Sequence, residues 1–309
     1  MLELVGLTAI GLILLIIGAE FFVDSAAKIA AKLGASPFFI GAVIIGFGTS
    51  LPELLVSASA ALNQQTPLAI GNVIGSNIAN IALILAIGAL LTRIEIDRLT
   101  RRRYLPLLII TGFLALALTQ DGELSRMDSG ILLATFVLAL WILNGGGSDD
   151  TGPTDAENTS TFKLLAVLLA GGIALLAGAN WLVDGAVGIA RIIGVSEFLI
   201  GITIVAVGSS LPELAATVSS ARRGHGEMIL GNIAGSNVFN ILLVMPIAGL
   251  IHPSSVPAEA ISRDLPIMLA FTIALFLMCL SRSGGLKSRS GGILLTGYLA
   301  YIFAVTVLL

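Results

Sequence analysis

The sequence predicts an all-α polytopic membrane protein in which ten transmembrane helices form two inverted five-helix repeats. Three observations predict this class: the composition, the number of long apolar segments and an internal repeat. Of the 309 residues, 56% are hydrophobic and only 11% are charged, and the mean hydropathy is +1.02. An ordinary globular protein has roughly 25% charged residues. The composition therefore excludes a water-soluble fold of this size and a disordered chain.

Ten segments of the chain are apolar over about the 20 residues that a helix needs to cross the hydrocarbon core of a bilayer. The first of them contains Glu3 and no basic residue near its start, which is not typical of a cleaved signal peptide. The predicted segments are 3–23, 37–62, 67–91, 104–119, 128–143, 163–183, 197–220, 227–250, 264–281 and 291–309.

The distribution of lysine and arginine predicts the orientation, because cytoplasmic loops carry an excess of both. If the N-terminus is outside, thirteen of the 16 basic residues lie in cytoplasmic loops. We therefore expect a multi-pass protein of the inner cell membrane with extracytoplasmic N- and C-termini. The loop after the third segment is the most basic, with Arg93, Arg98, Arg101, Arg102 and Arg103.

Two stretches of the first half recur in the second half at one offset of 160 residues. GAVIIGFGTSLPEL at 41–54 recurs as GITIVAVGSSLPEL at 201–214, and GNVIGSNIANI at 71–81 recurs as GNIAGSNVFNI at 231–241. The offset contains five predicted spans, an odd number, so the second copy enters the membrane from the opposite side. Such inverted repeats are common in secondary transporters, whose binding sites lie where the repeats meet.

The repeat also predicts the domain organisation. A first five-helix repeat is expected at 1–143 and a second, inverted repeat at 163–309. Between them, 144–162 is rich in Gly, Ser, Thr and Asp, and this composition predicts a flexible, acidic cytoplasmic linker.

Glu53 and Glu213 occupy the same place in the two repeats, deep within apolar segments. A charge at the bilayer centre costs about 2.5 to 3.5 kcal/mol on insertion scales, so an intramembrane acid indicates function. The alternative is a protonated glutamate with a structural role. Two glutamates at equivalent positions of the repeat, each with the same kind of polar neighbours, favour a functional role over this alternative. Those neighbours lie three and four residues before each acid, on its face of the helix. They are Thr49 and Ser50 in the first repeat, and Ser209 and Ser210 in the second.

Pro52 and Pro212 precede the two glutamates and disturb the helical turn before them. We expect this to free backbone carbonyls near Gly46 and Ala206. The following segment adds a polar stripe at a spacing of four residues. The stripe consists of Asn72, Ser76 and Asn80 in the first repeat, and Asn232, Ser236 and Asn240 in the second.

The polar side chains of these two segments divide into two groups. Ser76, Asn80, Ser236 and Asn240 extend the cluster around the acids and are predicted ligands. For the remaining asparagines, hydrogen bonding between helices is an equally good interpretation. These are Asn72, Asn77, Asn232 and Asn237.

Every predicted ligand presents oxygen, and neither histidine nor cysteine belongs to the cluster. Oxygen ligands favour a hard cation such as Ca²⁺ or Na⁺ over zinc or copper. Two carboxylates match the charge of one divalent ion or two monovalent ions. Occluding an empty, doubly charged site is costly, so exchange is favoured over uniport. No cofactor is expected.

The paired motifs have a recognisable resemblance. GTSLPE at 48–53 with GNVIGSN at 71–77, and GSSLPE at 208–213 with GNIAGSN at 231–237, resemble the two alpha-repeats of the calcium/cation antiporter superfamily, specifically its sodium/calcium exchanger branch. The resemblance covers essentially the whole chain. It implies Ca²⁺ and Na⁺ as substrates, alternating access, and sliding of the first and sixth helices across the other eight.

The resemblance also implies roles for individual residues. Glu53 and Glu213 would be acidic ligands shared by both ions, with Asn80 and Asn240 at the centre. One sodium site would be lined by Thr49, Ser50, Ser76 and the Gly46 carbonyl. The symmetric site would be lined by Ser209, Ser210, Ser236 and the Ala206 carbonyl. Some relatives carry an acid at the position of Asn240, so the number of sodium ions stays open.

Four alternatives to sodium/calcium exchange are weighed. Two are transporters of the same superfamily, a calcium/proton antiporter and a potassium-dependent sodium/calcium exchanger. A cation channel is less consistent with a self-contained inverted repeat. An intramembrane hydrolase lacks a nucleophile-elbow serine, and His225 and His252 lie at span ends in one half only, so no enzyme is expected. The lipid bilayer is an expected partner, whereas nucleic acid and an obligate protein partner are not.

Overall fold

A computed structural model describes residues 1–144, 160–194, 208–280 and 285–307 of the chain. The predicted linker at 144–162 lies largely outside the described residues, as do Ala206 and the first half of the seventh predicted segment. The helices are α1 (Leu2–Leu33), α2 (Pro37–Thr49), α3 (Leu51–Leu62), α4 (Thr66–Leu91), α5 (Leu105–Leu118), α6 (Arg126–Asn144), α7 (Thr161–Ile192), α8 (Leu211–Arg222), α9 (Gly226–Ile251), α10 (Ala260–Cys279) and α11 (Ser288–Val307).

The described chain is almost entirely helical, which confirms the predicted class of all-α membrane protein. Five helices are long and apolar enough to cross a membrane, and α2 with α3 makes a sixth when this bent pair counts as one span. The five are α1, α4, α7, α9 and α10.

The first and sixth predicted segments are too short. Helices α1 and α7 each contain 32 residues, about 48 Å at 1.5 Å per residue, whereas the prediction stopped each of them about ten residues earlier. Each helix continues beyond its apolar stretch, because the backbone hydrogen bonds of a helix do not require apolar side chains. The helix ends only where a residue adopts a non-helical backbone conformation. Gly34 ends α1 with a left-handed backbone (φ 61°), and its N–H bonds back to the carbonyls of Ala30 and Ala31.

Helices α1 and α7 pack against each other in opposite directions. Gly11 and Gly18 of α1 lie against Gly178 and Gly171 of α7, respectively, so the contact runs antiparallel. A Cβ atom at any of these four glycines would meet the partner's backbone, and small residues of this kind allow membrane helices to approach closely. The antiparallel direction is the one that an inverted repeat predicts.

The centre of the molecule is formed by α4 and α9. Within their most apolar windows, 78% and 83% of the residues are buried, against 22% and 33% in α1 and α7. The polar stripes predicted from the sequence therefore lie inside the protein. The long pair α1 and α7 lies at the periphery, where lipid can cover it.

Irregular features recur at the offset of 160 residues. Wide π-helical turns occur at Asn80–Ile84 and Asn240–Val244, and again at Thr100–Tyr104 and Ala260–Asp264. A further wide turn at Gly41–Ile45 lies within α2. Turns of this kind inside α-helices are frequent at functional sites, and the first pair carries Asn80 and Asn240.

Two short antiparallel strand pairs join the halves. Strand β1 (Ile94–Glu95) pairs with β4 (Gly285–Leu286), and β2 (Glu123–Leu124) pairs with β3 (Ser254–Ser255). Because α5 crosses the molecule between β1 and β2, the two pairs lie at opposite ends of the helices. Each half thus contributes one strand at each end.

Candidate cation-binding site

The second predicted segment is not one continuous helix, because it breaks at Ser50, just before Pro52 and Glu53. Helix α2 ends at Thr49, α3 begins at Leu51, and the two axes differ by 43°. Pro52 fits the first turn of α3, because the N–H groups of a first turn have no acceptor within the helix and proline lacks only such an N–H. Glu53 lies in the same turn, and Glu213 lies in the first turn of α8, which also begins with a leucine and a proline. The positive end of a helix dipole stabilises negative charge at this position.

The two glutamates belong to one site. Both side chains are fully buried, with 0% exposure. The Ser50 hydroxyl, from the first half, donates a hydrogen bond to Oε1 of Glu213 at 3.4 Å. The turn before α3 therefore lies against the first turn of α8.

Several buried oxygens at the centre have no donor among the described residues. They are both carboxylate oxygens of Glu53, Oε2 of Glu213, and Oδ1 of Asn80 and Asn240. Leaving one buried polar atom unsatisfied costs about 1 to 3 kcal/mol, and such atoms are rare in native proteins. All five atoms are oxygens that can accept but not donate a hydrogen bond, and such a set is suited to bind a cation.

A network of four asparagines orients two of these oxygens. Asn77 and Asn237 donate to each other's backbone carbonyls, both at 3.2 Å. Asn80 donates to Oδ1 of Asn237, and Asn240 donates to Oδ1 of Asn77, both at 3.0 Å. The amide nitrogens of Asn80 and Asn240 are thus held by the network, which leaves their Oδ1 atoms for another partner. Asn77 and Asn237 use both ends of their amides in hydrogen bonds that join α4 to α9.

A second polar cluster crosses between the repeats. The Gly46 carbonyl accepts hydrogen bonds from the hydroxyls of Thr49 at 3.3 Å and Ser236 at 3.2 Å. Thr49 also donates to Oδ1 of Asn232 at 3.2 Å. The serine beside Gly46 and Thr49 thus comes from the other half, whereas the predicted sodium site grouped them with Ser76; that ligand set stays a prediction.

The close approach of two backbones explains this exchange of partners. Gly231 of α9 lies against Phe38 of α2, and Gly235 lies against Ala42. Without Cβ atoms at these positions, α9 comes close enough to α2 for Ser236 to reach Gly46. Spacing along one helix could not predict this contact.

The predicted release of the Gly46 carbonyl is wrong. This carbonyl accepts the backbone N–H of Ser50 at 3.1 Å, so the regular helical bond is kept. The helix breaks one turn later, at Ser50 itself, whose backbone (φ −85°, ψ 4°) is no longer helical.

The remaining predicted ligands lie near the breaks or outside the described residues. Ser76 and Ser210 are buried, with 5% and 4% exposure, and Ser209 is half-buried in the turn before α8. Ala206 lies outside the described residues. The ligand assignments of these residues therefore stay predictions.

The sequence reasoning overlooked the residues one turn after the glutamates. Ser57 accepts a hydrogen bond from the Asn72 amide at 3.0 Å, which fixes α4 against α3. Thr217, its repeat counterpart, is buried with a hydroxyl that has no partner among the described residues. Their position four residues after Glu53 and Glu213 was the available signal.

A comparison with protein families gives one match over nearly the whole chain. The model described as "Sodium/calcium exchanger protein" matches residues 3–144 and 163–307. The two matched ranges leave out only the chain ends and the segment predicted as a linker.

Several curated proteins are similar over almost their full lengths. The putative antiporter CaxA of Alkalimonas amylolytica is 41% identical, over 94% of this chain and 95% of that protein. The inner membrane protein YrbG of Escherichia coli is 37% identical over 96% and 94%. The sodium/calcium exchanger MaX1 of Methanosarcina acetivorans is 34% identical over 95% of each.

Solved structures give the same result for the fold. A structure of the sodium-calcium exchanger NCX_Mj soaked with Na⁺ and Sr²⁺ superimposes with a TM-score of 0.88, at 32% identity and over 99% of both chains. A structure of the same exchanger soaked without Na⁺ and Ca²⁺ also gives a TM-score of 0.88.

Proposed function

Because the chain belongs to the sodium/calcium exchanger protein family, we propose that it exchanges Ca²⁺ for Na⁺ at a buried site between Glu53 and Glu213. The observation that carries this proposal is the set of five buried oxygens that have no hydrogen-bond donor among the described residues. These oxygens come from both halves, so ion binding would depend on the relative position of the two repeats.

The chemistry of the site fits a hard cation. Ca²⁺ takes six to eight oxygen ligands, which carboxylates, amide oxygens and hydroxyls can supply together. Two carboxylates neutralise one Ca²⁺, or two Na⁺. A filled site is then close to neutral, whereas an empty one would bury two like charges, which is costly in a low dielectric. The change between outward- and inward-facing states is therefore favoured only when the site holds ions. The site must then bind a second ion species before it can return, which makes the transport an exchange.

The cluster around Gly46 supports sodium as the counter-ion. The carbonyl of Gly46 and the hydroxyls of Thr49 and Ser236 are neutral oxygens beside the Glu213 carboxylate, to which Ser50 donates. A monovalent cation would use these neutral ligands, whereas proton exchange would need only the carboxylates. Calcium/proton antiport is accordingly the alternative to be tested.

The transport cycle follows from the inverted architecture. We propose repeats at 1–143 and 163–309 joined by the cytoplasmic linker 144–162, both termini outside, and location in the inner membrane. Helices α1 and α7 would slide together across the central helices to open one side at a time. Labelling tests the orientation: in a Cys279→Ala background, a Thr151→Cys variant should react with an impermeant maleimide only from the cytoplasmic side.

The decisive experiment is uptake of radioactive Ca²⁺ into proteoliposomes that contain the purified protein. Loading with Na⁺ inside and diluting into Na⁺-free medium should drive uptake, whereas an imposed pH gradient at equal Na⁺ should not. Uptake with the pH gradient alone would make the protein a calcium/proton antiporter. Adding K⁺ to both arms tests potassium dependence, and uptake without any gradient of a counter-ion would indicate a channel.

A further inference from the structure

A groove on the surface of the first half combines a basic end with an apolar wall. It lies between α5 with its preceding π turn and α6, and has a volume of about 520 Å³. The lining residues are Arg102, Arg103, Pro106, Leu107, Ile110, Trp141 and Ile142. The exchange mechanism uses none of them.

The basic end of the groove is available to a ligand. Arg102 and Arg103 are both exposed, and among the described residues neither forms an ion pair. The nearest acid in the sequence, Asp97, instead accepts the backbone N–H of Thr100 at 2.8 Å. The neighbouring Arg101 points elsewhere, since it donates to the carbonyl of Ile96.

The wall of the groove is apolar and faces outward. Ile110 is 59% exposed and Trp141 is 74% exposed. In a membrane protein such exposed apolar surface is covered by acyl chains, and tryptophan is enriched at the level of the lipid headgroups. Arg102 and Trp141 therefore lie at the boundary between headgroups and acyl chains, with Ile110 about two turns deeper along α5.

The corresponding place in the second half lacks this combination. Position 102 corresponds to Ser262, position 103 to Arg263, and position 141 to Tyr301. Arg263 forms an ion pair with Asp264 at 2.7 Å, and Tyr301 donates to the same carboxylate at 3.2 Å. Its single arginine is thus neutralised within the protein.

We propose that the groove binds one anionic phospholipid, with its phosphate on Arg102 and Arg103 and an acyl chain along Trp141 and Ile110. Arginine forms paired hydrogen bonds with phosphate oxygens. Basic pockets between membrane helices on the cytoplasmic side bind anionic headgroups, and the positive-inside orientation places this groove there. The occupant is a lipid and not free phosphate, because the apolar wall continues for two turns beyond the arginines. The proposal is independent of which ions are exchanged.

Trp141 provides a direct measurement, because the chain has only one other tryptophan, Trp181. A Trp181→Phe variant reconstituted with brominated lipids reports the lipid beside Trp141 through fluorescence quenching. Brominated phosphatidylglycerol should quench with a higher relative affinity than brominated phosphatidylcholine. The expected preference is about fivefold for one engaged arginine and up to about thirtyfold for two.

Two charge-matched variants test the arginines. Arg102→Gln with Arg103→Gln should abolish the preference for phosphatidylglycerol. Lys287→Gln with Arg289→Gln removes two exposed charges next to β4, at the same end of the helices as β1, and should leave the preference unchanged. Retention of the α-helical circular dichroism spectrum checks that each variant is folded.

Three results would overturn the proposal. They are equal quenching by the two lipids, a preference that survives loss of both arginines, and a preference that is lost equally in the control variant. Inorganic phosphate added to the vesicles separates the two sources of phosphate. Displacement of the lipid at millimolar phosphate would mean that the arginines bind a free anion.

Discussion

The centre of the molecule is nearly the same in its two halves, whereas the surfaces at the start of α5 and of α10 differ. At the centre, Glu53 matches Glu213, and the asparagine network makes the same hydrogen bonds in both directions. At the periphery, two unpaired arginines and a tryptophan in the first half correspond to a serine, a paired arginine and a tyrosine in the second.

The difference reflects what each region faces. Residues of both halves meet at the centre, so a change in either half alters the same cluster of buried oxygens. The two peripheral places lie on opposite sides of the membrane because the repeat is inverted, and only one side meets the anionic cytoplasmic leaflet. Symmetry is kept where the environment is shared and is lost where the environments differ.

The largest effect is expected from the glutamates. Glu53→Gln and Glu213→Gln should each reduce sodium-driven calcium uptake by about a hundredfold or more, because each removes a charged ligand worth up to about 3 kcal/mol. Uptake into proteoliposomes measures this loss, and the exposed Glu123→Gln serves as a control. If one variant transported normally while the other failed, the two halves would not be equivalent.

The asparagine network should govern stability as well as transport. Asn77→Leu or Asn237→Leu leaves a backbone carbonyl and an amide without their partners, at a cost of about 1 to 3 kcal/mol in the free energy of unfolding. Thermal unfolding in detergent measures the change, with the exposed Asn63→Ala as control. Equal melting temperatures for all three variants would show that the network is not structural.

A smaller effect is expected where the centre departs from symmetry, at Thr49 and its counterpart Ser209. Thr49→Val removes the hydroxyl that contacts Gly46 and Asn232 and should weaken the sodium dependence of uptake by up to about tenfold. Thr49→Ser keeps the hydroxyl and restores symmetry, so its sodium dependence should stay close to that of the wild type. A serine variant as impaired as the valine variant would assign the effect to the methyl group.

The smallest effect is expected at the place in the second half that corresponds to the groove. Asp264→Asn releases Arg263 from its ion pair, and an unpaired arginine should increase binding of phosphatidylglycerol by no more than about fivefold. Native mass spectrometry of the detergent-solubilised protein counts bound lipids directly. An increase as large as the preference expected at the groove between α5 and α6 would mean that a single unpaired arginine is sufficient, and that Trp141 contributes nothing.

The sequence predicted those features that depend on spacing along one helix. The offset of 160 residues identified matched glutamates, prolines and polar stripes, and the structure has its helix break beside Pro52. The ends of α1 and α7 were missed because the helices continue beyond their apolar stretches. The roles of Asn77 and Asn237 were left open, since an amide that binds an ion and an amide that joins helices have the same spacing.

By itself, the sequence determined the class of fold, the inverted repeat and the acids at its centre, because these follow from composition, periodicity and the cost of burying charge. Only the tertiary structure decided which groups meet. Ser236 reaches Gly46 because two glycines let α9 approach α2, and Arg102 and Trp141 line one groove because α5 lies beside α6. Contacts between helices depend on the depth and angle of packing, which no pattern within a single helix specifies.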